Sequence, residues 1–489
     1  VRRLAIQAEQ QLAAGDAAAA LVSAAKAVAL DPTDSQAQAQ RGQALMQLDR
    51  PSEAVLAFQA ALVASPEMAA LHLLLGNAHR ASGSNRLAVP AYTEATRLAP
   101  DLGGAWRNLG LALLGTGDAE QAVVSLRRAC ALEPESASNW NSLGAALHSL
   151  AMPAQALCAF SEAARLAPDT SREGVRARWN QSLLYLLTGD MERGWPLYDY
   201  RRTGPCGDQP APFGLPIIKG RPAPGMRVLV CVEQGLGDVV MILRFLPLLA
   251  QQGVRIVLQR PPAFRRLLTN VSGVESFLDD GMPAPDVDGV LHCMSLPSLF
   301  VDSDQHVPGD VPYLHPDPTL AAQWEARLAG AKGLRVGFVW AGNPNYALDR
   351  DRSVGLPAML PLMSLTGLVP VCLQVGPGRR DLATSPLPPH AIDLGAEVTD
   401  MADTLAVLSR LDLLVSCCTM PVHLAGAVGL PTKVLLSAIP DWRWGLARAD
   451  SPWYPSVTLY RQDRPSDWST PLAEVERDLS KRIGMASGG

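Results

Sequence analysis

The chain has 489 residues, more than one ordinary core accommodates, and the length favours about three domains. Hydrophobic residues make up 48% and charged residues 18%, which excludes a disordered or highly charged chain. A net charge of -5 gives no global indication of a nucleic-acid or anionic-membrane partner.

No apolar run reaches the ~18 residues of a membrane helix, because the best candidate, Val239 to Ala250, is broken by Arg244. The eight cysteines are scattered without a C-x-x-C pair, so neither a disulfide scaffold nor a zinc site is indicated. The chain opens Val1-Arg2-Arg3 without an initiator methionine and shows no signal-peptide pattern. A reducing cytoplasm is the expected compartment.

In the first 170 residues, Pro32, Pro66, Pro100, Pro134 and Pro168 recur every 34 residues. In the frame they set, Gly42, Gly76, Gly110 and Gly144 hold the eighth position. Ala20, Ala54, Ala88, Ala122 and Ala156 hold the twentieth. Phe58, Tyr92, Leu126 and Phe160 hold the twenty-fourth, and Trp106 and Trp140 the fourth. Small residues let two antiparallel helices approach, the bulky residue fills the gap, and the proline stops the second helix. One such hairpin cannot bury its apolar face, so copies must stack. The pattern resembles the tetratricopeptide (TPR) repeat, an all-α solenoid with five copies over residues 1–170.

Trp179-Asn180 to Gly189-Asp190 and Met191 to Arg201 read as a degenerate capping repeat over 171–202. Such an array implies a groove for a protein partner; a spacer or a homo-oligomer built through the repeats is the other reading. Asn77, Asn108 and Asn141 fall at the ninth, sixth and fifth positions, so no asparagine ladder is expected along the groove.

Residues 203–225 are rich in Pro and Gly (Gly204-Pro205, Pro210, Pro224-Gly225) and predict a linker or surface loop. Short apolar runs then alternate with helical ones. Strands are expected at Arg227–Val232, Arg255–Gln259 and Val290–Cys293, with helices at Asp238–Gln251 and Pro262–Thr269. After a helix at Ala321–Ala329, a second series predicts strands at Leu334–Trp340, Val369–Gln374, Ala391–Leu394, Leu413–Cys417 and Lys433–Leu436. Helices near Leu356–Leu365, Met401–Arg410 and Pro421–Val428 separate these. The alternation predicts two α/β, Rossmann-like lobes, over 226–328 and 329–489, with ligand at the carboxyl ends of their strands.

Five places carry candidate chemistry. Gly235 and Gly237 permit a tight turn after the first strand, and Asp238 follows, suited to taking a proton from an acceptor hydroxyl or to capping a helix. The second lobe opens with Trp340, Gly342, Asn343 and Pro344, followed by Arg350 and Arg352. A turn and two guanidiniums suit a diphosphate; a solvated charged loop is the alternative. Gln374 ends the next strand within reach of a nucleotide. Cys418, Thr419 and Met420 lead into a helix whose start is an anion site, with His423 one turn in, where it touches phosphate or packs. Asp441-Trp442-Arg443-Trp444 and Ser451-Pro452-Trp453-Tyr454 flank a base or sugar, or plug the lobe edge.

Taken together, residues 226–485 resemble a GT-B glycosyltransferase. The likeness is closest to the heptosyltransferase (GT9-like) group and more distant to O-GlcNAc transferases that also carry TPRs. It rests on Gly-Leu-Gly-Asp238, Val-Trp-Ala-Gly-Asn-Pro344 with Arg-Asp-Arg352-Ser, and Thr419-x-x-x-His423-Leu-Ala-Gly-Ala, with Asp-Trp-Arg-Trp444 and Ser-Pro-Trp-Tyr454 beside them.

The resemblance implies inverting, metal-independent transfer without a cofactor, from a nucleotide-sugar donor on the second lobe to an acceptor on the first. It makes Asp238 the general base, Arg352 a diphosphate partner and Thr419 the residue presenting its amide. One departure is Cys418, where heptosyltransferases usually carry Asp. A thiol is a poor acceptor for sugar hydroxyls, so the usual heptose donor is disfavoured or the domain is impaired. The leading expectation is transfer to Ser or Thr of a protein recruited by the repeats, such as flagellin or a surface adhesin. A non-catalytic TPR adaptor with a degenerate GT-B unit, and a transferase acting on glycan or lipid, are the alternatives.

Overall fold

The computed structural model describes residues 1–203, 212–346 and 349–487. The part of the expected linker that includes Gly204, Pro205 and Pro210 lies outside the described residues. Two compact units divide the chain, Val1–Gln181 and Ser182–Gly489.

The first unit is five helical hairpins: α1 (Arg2–Ala13) with α2 (Ala17–Leu30), α3 (Ser35–Gln47) with α4 (Pro51–Ala64), α5 (Ala69–Ala81) with α6 (Asn85–Leu98), α7 (Gly103–Thr116) with α8 (Ala119–Leu132), and α9 (Ala137–Ser149) with α10 (Pro153–Leu166). Each repeat proline stands two residues beyond the end of a second helix, where a missing N–H costs nothing. The close approach expected at the eighth position is present. A Cβ added to Gly42, Gly76 or Gly144 would stand 2.5 Å from the ring of Phe58, Tyr92 or Phe160. At Gly110 the same contact is made by Leu126.

The fourth position has a further role. Trp106 and Trp140 donate their indole N–H to the carbonyls of Pro100 and Pro134, at 3.0 and 2.8 Å. Gln38 donates in the same way to Pro32 at 3.1 Å, and His72 Nε2 stands 2.7 Å from the Pro66 carbonyl. What these four residues share is a side-chain nitrogen that ties each repeat to the turn before it.

α11 (Arg172–Leu187) crosses the boundary between the units. In the second unit, α12 (Met191–Tyr198) docks through Trp195, whose indole donates to the Val301 carbonyl at 2.6 Å. The expected capping helix therefore packs on the α/β region.

That region holds two parallel sheets. The first contains β1 (Arg227–Cys231), β2 (Arg255–Arg260), β3 (Val274–Asp279) and β4 (Gly289–His292) in the order β3-β2-β1-β4. Between β1 and β2 lie α13 (Leu236–Ile242) and α14 (Leu246–Gln251); the single helix expected there is broken because Pro247 is incompatible with continuous helix through Leu243. The helix expected at Pro262–Thr269 is one turn, Pro262–Phe264, too short to recover the cost of nucleation. α15 (Pro297–Phe300) and α16 (Pro318–Arg327) lead to the second sheet.

The second sheet has six strands: β5 (Leu334–Val339), β6 (Leu368–Cys372), β7 (Ile392–Asp393), β8 (Leu413–Cys417), β9 (Thr432–Leu436) and β10 (Val457–Arg461), in the order β10-β9-β8-β5-β6-β7. Its helices are α17 (Asp349–Arg352), α18 (Leu356–Met363), α19 (Met401–Leu408), α20 (Met420–Val428) and α21 (Ser469–Ser487). Val336, Phe338, Trp340, Met359, Val475 and Leu479 lie in its core, so the terminal helix α21 is integral to the lobe.

Each sheet reverses its strand order once, between β1 and β4 in the first and between β5 and β8 in the second. Loops diverge at such points and open a crevice at the carboxyl ends of the strands. Between the sheets, α13 packs on α20. Arg244, just beyond α13, is buried without a carboxylate partner among the described residues. Its guanidinium donates instead to the carbonyls of Val307, Pro308, Gly309 and Trp453.

Candidate functional site

The two switch points bring most of the expected residues together. After β1 the chain turns through Gln234, at φ 63°, into Gly235 and α13. Asp238 is the third residue of that helix, and its Oδ2 accepts the Gly235 N–H at 2.8 Å. Its Oδ1 accepts from Nη2 of Arg443. Asp238 thus caps its own helix, one of the two roles expected of it, and is ion-paired as well. The cause is the Asp441-Trp442-Arg443-Trp444 turn after β9, which carries a cation back to the first sheet. The packing there is tight: a Cβ on Gly237 would stand 2.5 Å from Cδ2 of His423.

Arg443 was expected to flank a base or sugar or to plug the lobe edge; its pairing with Asp238 was not expected. It is 7% exposed, and Nη1 also pairs with Asp441 at 2.8 Å. Burial works to strip its proton, but Asp441 and Asp238 overcome this and hold the guanidinium above its ordinary value. Its Nε has no acceptor among the described residues. Trp442 beneath it packs edge-to-face on Trp195, Tyr198 and Trp453, and Arg443 lies 5.0 Å over the Trp442 ring. The visible signal was an arginine framed by two tryptophans and an aspartate directly after a buried strand.

On the second lobe, Cys418 directly follows β8 and its Sγ accepts the Trp444 indole N–H at 3.1 Å. Burial raises the thiol above its usual range, with Asp441 adding to the push, so it remains protonated. Thr419 is the N-cap of α20 without a side-chain bond to the helix, Met420 is its first residue, and Pro421 fits in the first turn. His423 is 4% exposed, with Nδ1 2.9 Å from the Tyr454 hydroxyl. Burial first, and then Arg443 and Arg352, push its imidazole well below the usual range, so it is neutral. It packs between Gly237, Trp444 and Tyr454.

Arg352 Nε donates to Asp349 at 2.9 Å, and the guanidinium lies 4.6 Å over Tyr346. Arg352, Arg443, Asp441 and Cys418 all act electrostatically on Tyr346, so these groups share one region.

The remaining expected residues are placed differently. Trp340 is fully buried with its indole donating to Gly378, so it is core. Gln374 is buried and accepts the amides of Trp340 and Ala341, both at 2.9 Å, which leaves it organising the loop. The Gly342 amide donates to Ser353 at 3.0 Å, and a Cβ there would strike Asp349 and Arg352. Asn343 is exposed and its Oδ1 accepts the Asn345 amide, while Arg350 is exposed on α17.

In the first unit, a hollow of about 420 Å³ is lined by Leu12, Gln43, Met46, Gln47, Leu74 and Asn77, from α1, α3 and α5. Four apolar side chains, Ala13 being the fourth, and three amides suit an extended peptide, whose backbone needs both donors and acceptors. Asn108 donates to Asn77 at 2.9 Å, so these two amides meet although they are out of step in the repeat.

Residues 73–137 match the family model described as tetratricopeptide repeat. The chain is 26% identical over 328 residues to Protein FlbA of Caulobacter vibrioides, covering 61% of this chain and 54% of FlbA, so it spans about half the length of that relative. Among solved structures, it is similar to MamA (20% identity, TM-score 0.31, 32% of this chain and 93% of that chain). It is also similar to PilF of Pseudomonas aeruginosa (18%, 0.36, 41% and 90%). A third is YrrB, described as a TPR protein with an unusual peptide-binding site (22%, 0.32, 35% and 88%). No helix among the described residues is long and apolar enough to cross a membrane. The N-terminal region is a tetratricopeptide-repeat array, and an α/β region with two parallel sheets follows it.

Proposed function

We propose that the chain is a GT-B-type glycosyltransferase moving a sugar from a nucleotide-sugar donor to Ser or Thr of a protein held in the repeat groove. The observation that carries this reading is the meeting of the two switch points. A carboxylate on the strand-to-helix turn of one sheet stands beside a helix start and two arginines of the other. In the transfer, the acceptor oxygen attacks the anomeric carbon, and the carbon–phosphate oxygen bond breaks with its electron pair going to the diphosphate. The acceptor proton passes to Asp238. Arg352 and the amides at Thr419 and Met420 bear the charge that develops on the leaving group. Flagellin or a surface adhesin is the client class that the resemblance to glycosyltransferases fused to TPRs suggests.

A second reading, a non-catalytic adaptor, draws on two contacts: the Asp238–Arg443 ion pair and the Trp444–Cys418 bond that fills the position of the usual Asp. Intact mass of a candidate acceptor, co-expressed with the chain and supplied with a nucleotide-sugar pool, separates the two. A gain equal to one sugar supports transfer. An unmodified acceptor that still co-purifies with the chain favours the adaptor.

A further inference from the structure

We infer, resting on the glycosyltransferase reading, that Arg443 is a ligand for the donor diphosphate and that the two aspartates compete with the donor for it. Three observations lead there. Arg443 is buried and its guanidinium is divided between Asp238 and Asp441, while Nε stands without an acceptor among the described residues. The guanidinium fork is built for bidentate oxyanions, and a fork with an idle N–H still has capacity for a phosphate oxygen. Both oxygens of Asp238 are engaged, one by the Gly235 amide and one by Arg443. A carboxylate oxygen already bonded to a donor meets an acceptor hydroxyl only after that donor leaves.

These facts make one exchange. A diphosphate that takes Arg443 satisfies the idle Nε and removes the cation from Asp238. Asp238 is thereby left with the Gly235 amide as its partner. Trp442, wedged among Trp195, Tyr198 and Trp453, fixes the backbone on which Arg443 turns, so the exchange needs rotation of one side chain rather than movement of a lobe.

Competition gives this inference a signature that a merely structural arginine lacks. Removing a competing carboxylate must strengthen diphosphate binding. The test is calorimetry of the full chain with uridine, guanosine and thymidine diphosphates, with the matching monophosphates as controls. The nucleotide bound best by the wild type is then titrated into Asp441→Asn, Asp238→Asn, Arg443→Lys and Arg443→Gln. Asp441→Asn is expected to bind at least 3-fold more tightly, and Arg443→Gln at least 10-fold more weakly. Arg443→Lys falls between, as a point charge without a fork. The monophosphate is expected to respond less to every change.

Equal affinity of wild type, Asp441→Asn and Arg443→Gln overturns the role of Arg443 while the glycosyltransferase reading stands. Binding of no diphosphate by the wild type overturns both. Should Arg443→Gln fail to fold, the two aspartate variants decide the matter, since neither a misfolded nor a merely destabilised protein gains affinity.

Discussion

Gly237 and His423 touch across the two sheets: the glycine sits in the first turn of α13, and a methyl group in its place would lie 2.5 Å from the imidazole edge. The imidazole is fixed in turn by Tyr454 and Trp444 and has no free direction in which to yield. Gly237→Ala is expected to destabilise the second unit by about 1–3 kcal/mol, the usual cost of overpacking. His423→Ala in the same chain should recover most of that loss. Thermal melts of the two single variants and the double variant give the coupling; additive losses would show that the two residues do not meet.

The same histidine predicts a pH dependence. Unfolded, an imidazole takes its proton near pH 6.5, whereas folded His423 takes it only well below that. Between those two values the unfolded chain binds more protons. Stability that is complete above about pH 6.5 therefore falls as the pH drops through that window, by about 1.4 kcal/mol per pH unit. His148 and His292 shift in the same direction, so the relevant quantity is the difference between wild type and His423→Gln. Chemical denaturation from pH 7.5 to pH 5 should show the shallower slope in the variant.

Gly76 and Tyr92 make the corresponding contact inside the array, at 2.5 Å from a hypothetical Cβ. Gly76→Ala should lower the stability of the first unit by about 1–3 kcal/mol. Tyr92→Ala in the same chain should relieve the clash in part, because the ring atoms that the added methyl group strikes are then absent. Limited proteolysis of the full chain, read by the order in which fragments of the first unit appear, measures this. Unchanged protection in Gly76→Ala would count against the close helix approach.

Asp238→Ala should lower sugar transfer by ~10²-fold or more. Nucleotide diphosphate affinity should hold or rise, since a competitor for Arg443 has gone. Initial rates and calorimetry on one preparation separate the two effects. Undiminished turnover would retire Asp238 as the base.

Leu74→Glu places a charge in the apolar part of the hollow on the inner face of the repeats. Modification of a protein acceptor should fall at least 10-fold while nucleotide binding is unaltered. Equal loss of both would show that the substitution acts through the fold and not through client binding.

The repeats were legible because each position does one job in every copy: the proline, the small residue and the bulky residue recur at fixed spacing. Even so, the fourth position looked like two tryptophans when its shared property is a donor to the proline carbonyl, a function that Gln38 and His72 perform without resembling Trp. The central strands were legible as continuous apolar runs. The edge strands Val274–Asp279 and Val457–Arg461 were not, because one side of an edge meets solvent and polar residues interrupt the run. At the site, Asp238, Cys418 and His423 stood out by their place after strands. Arg443 stood out only as part of a Trp-rich run, because its pairing is with a residue 205 positions earlier, which no local pattern carries.

Arg244 ties the molecule together in time as well as in space. Among the described residues its guanidinium donates to carbonyls that follow it by 63 to 65 residues and to one at Trp453, 209 residues on. A ribosome that has delivered the whole first sheet has still not delivered the last acceptor this cation needs. Until that acceptor emerges, the half-made protein holds an arginine that lacks one of the four carbonyls it meets in the finished fold.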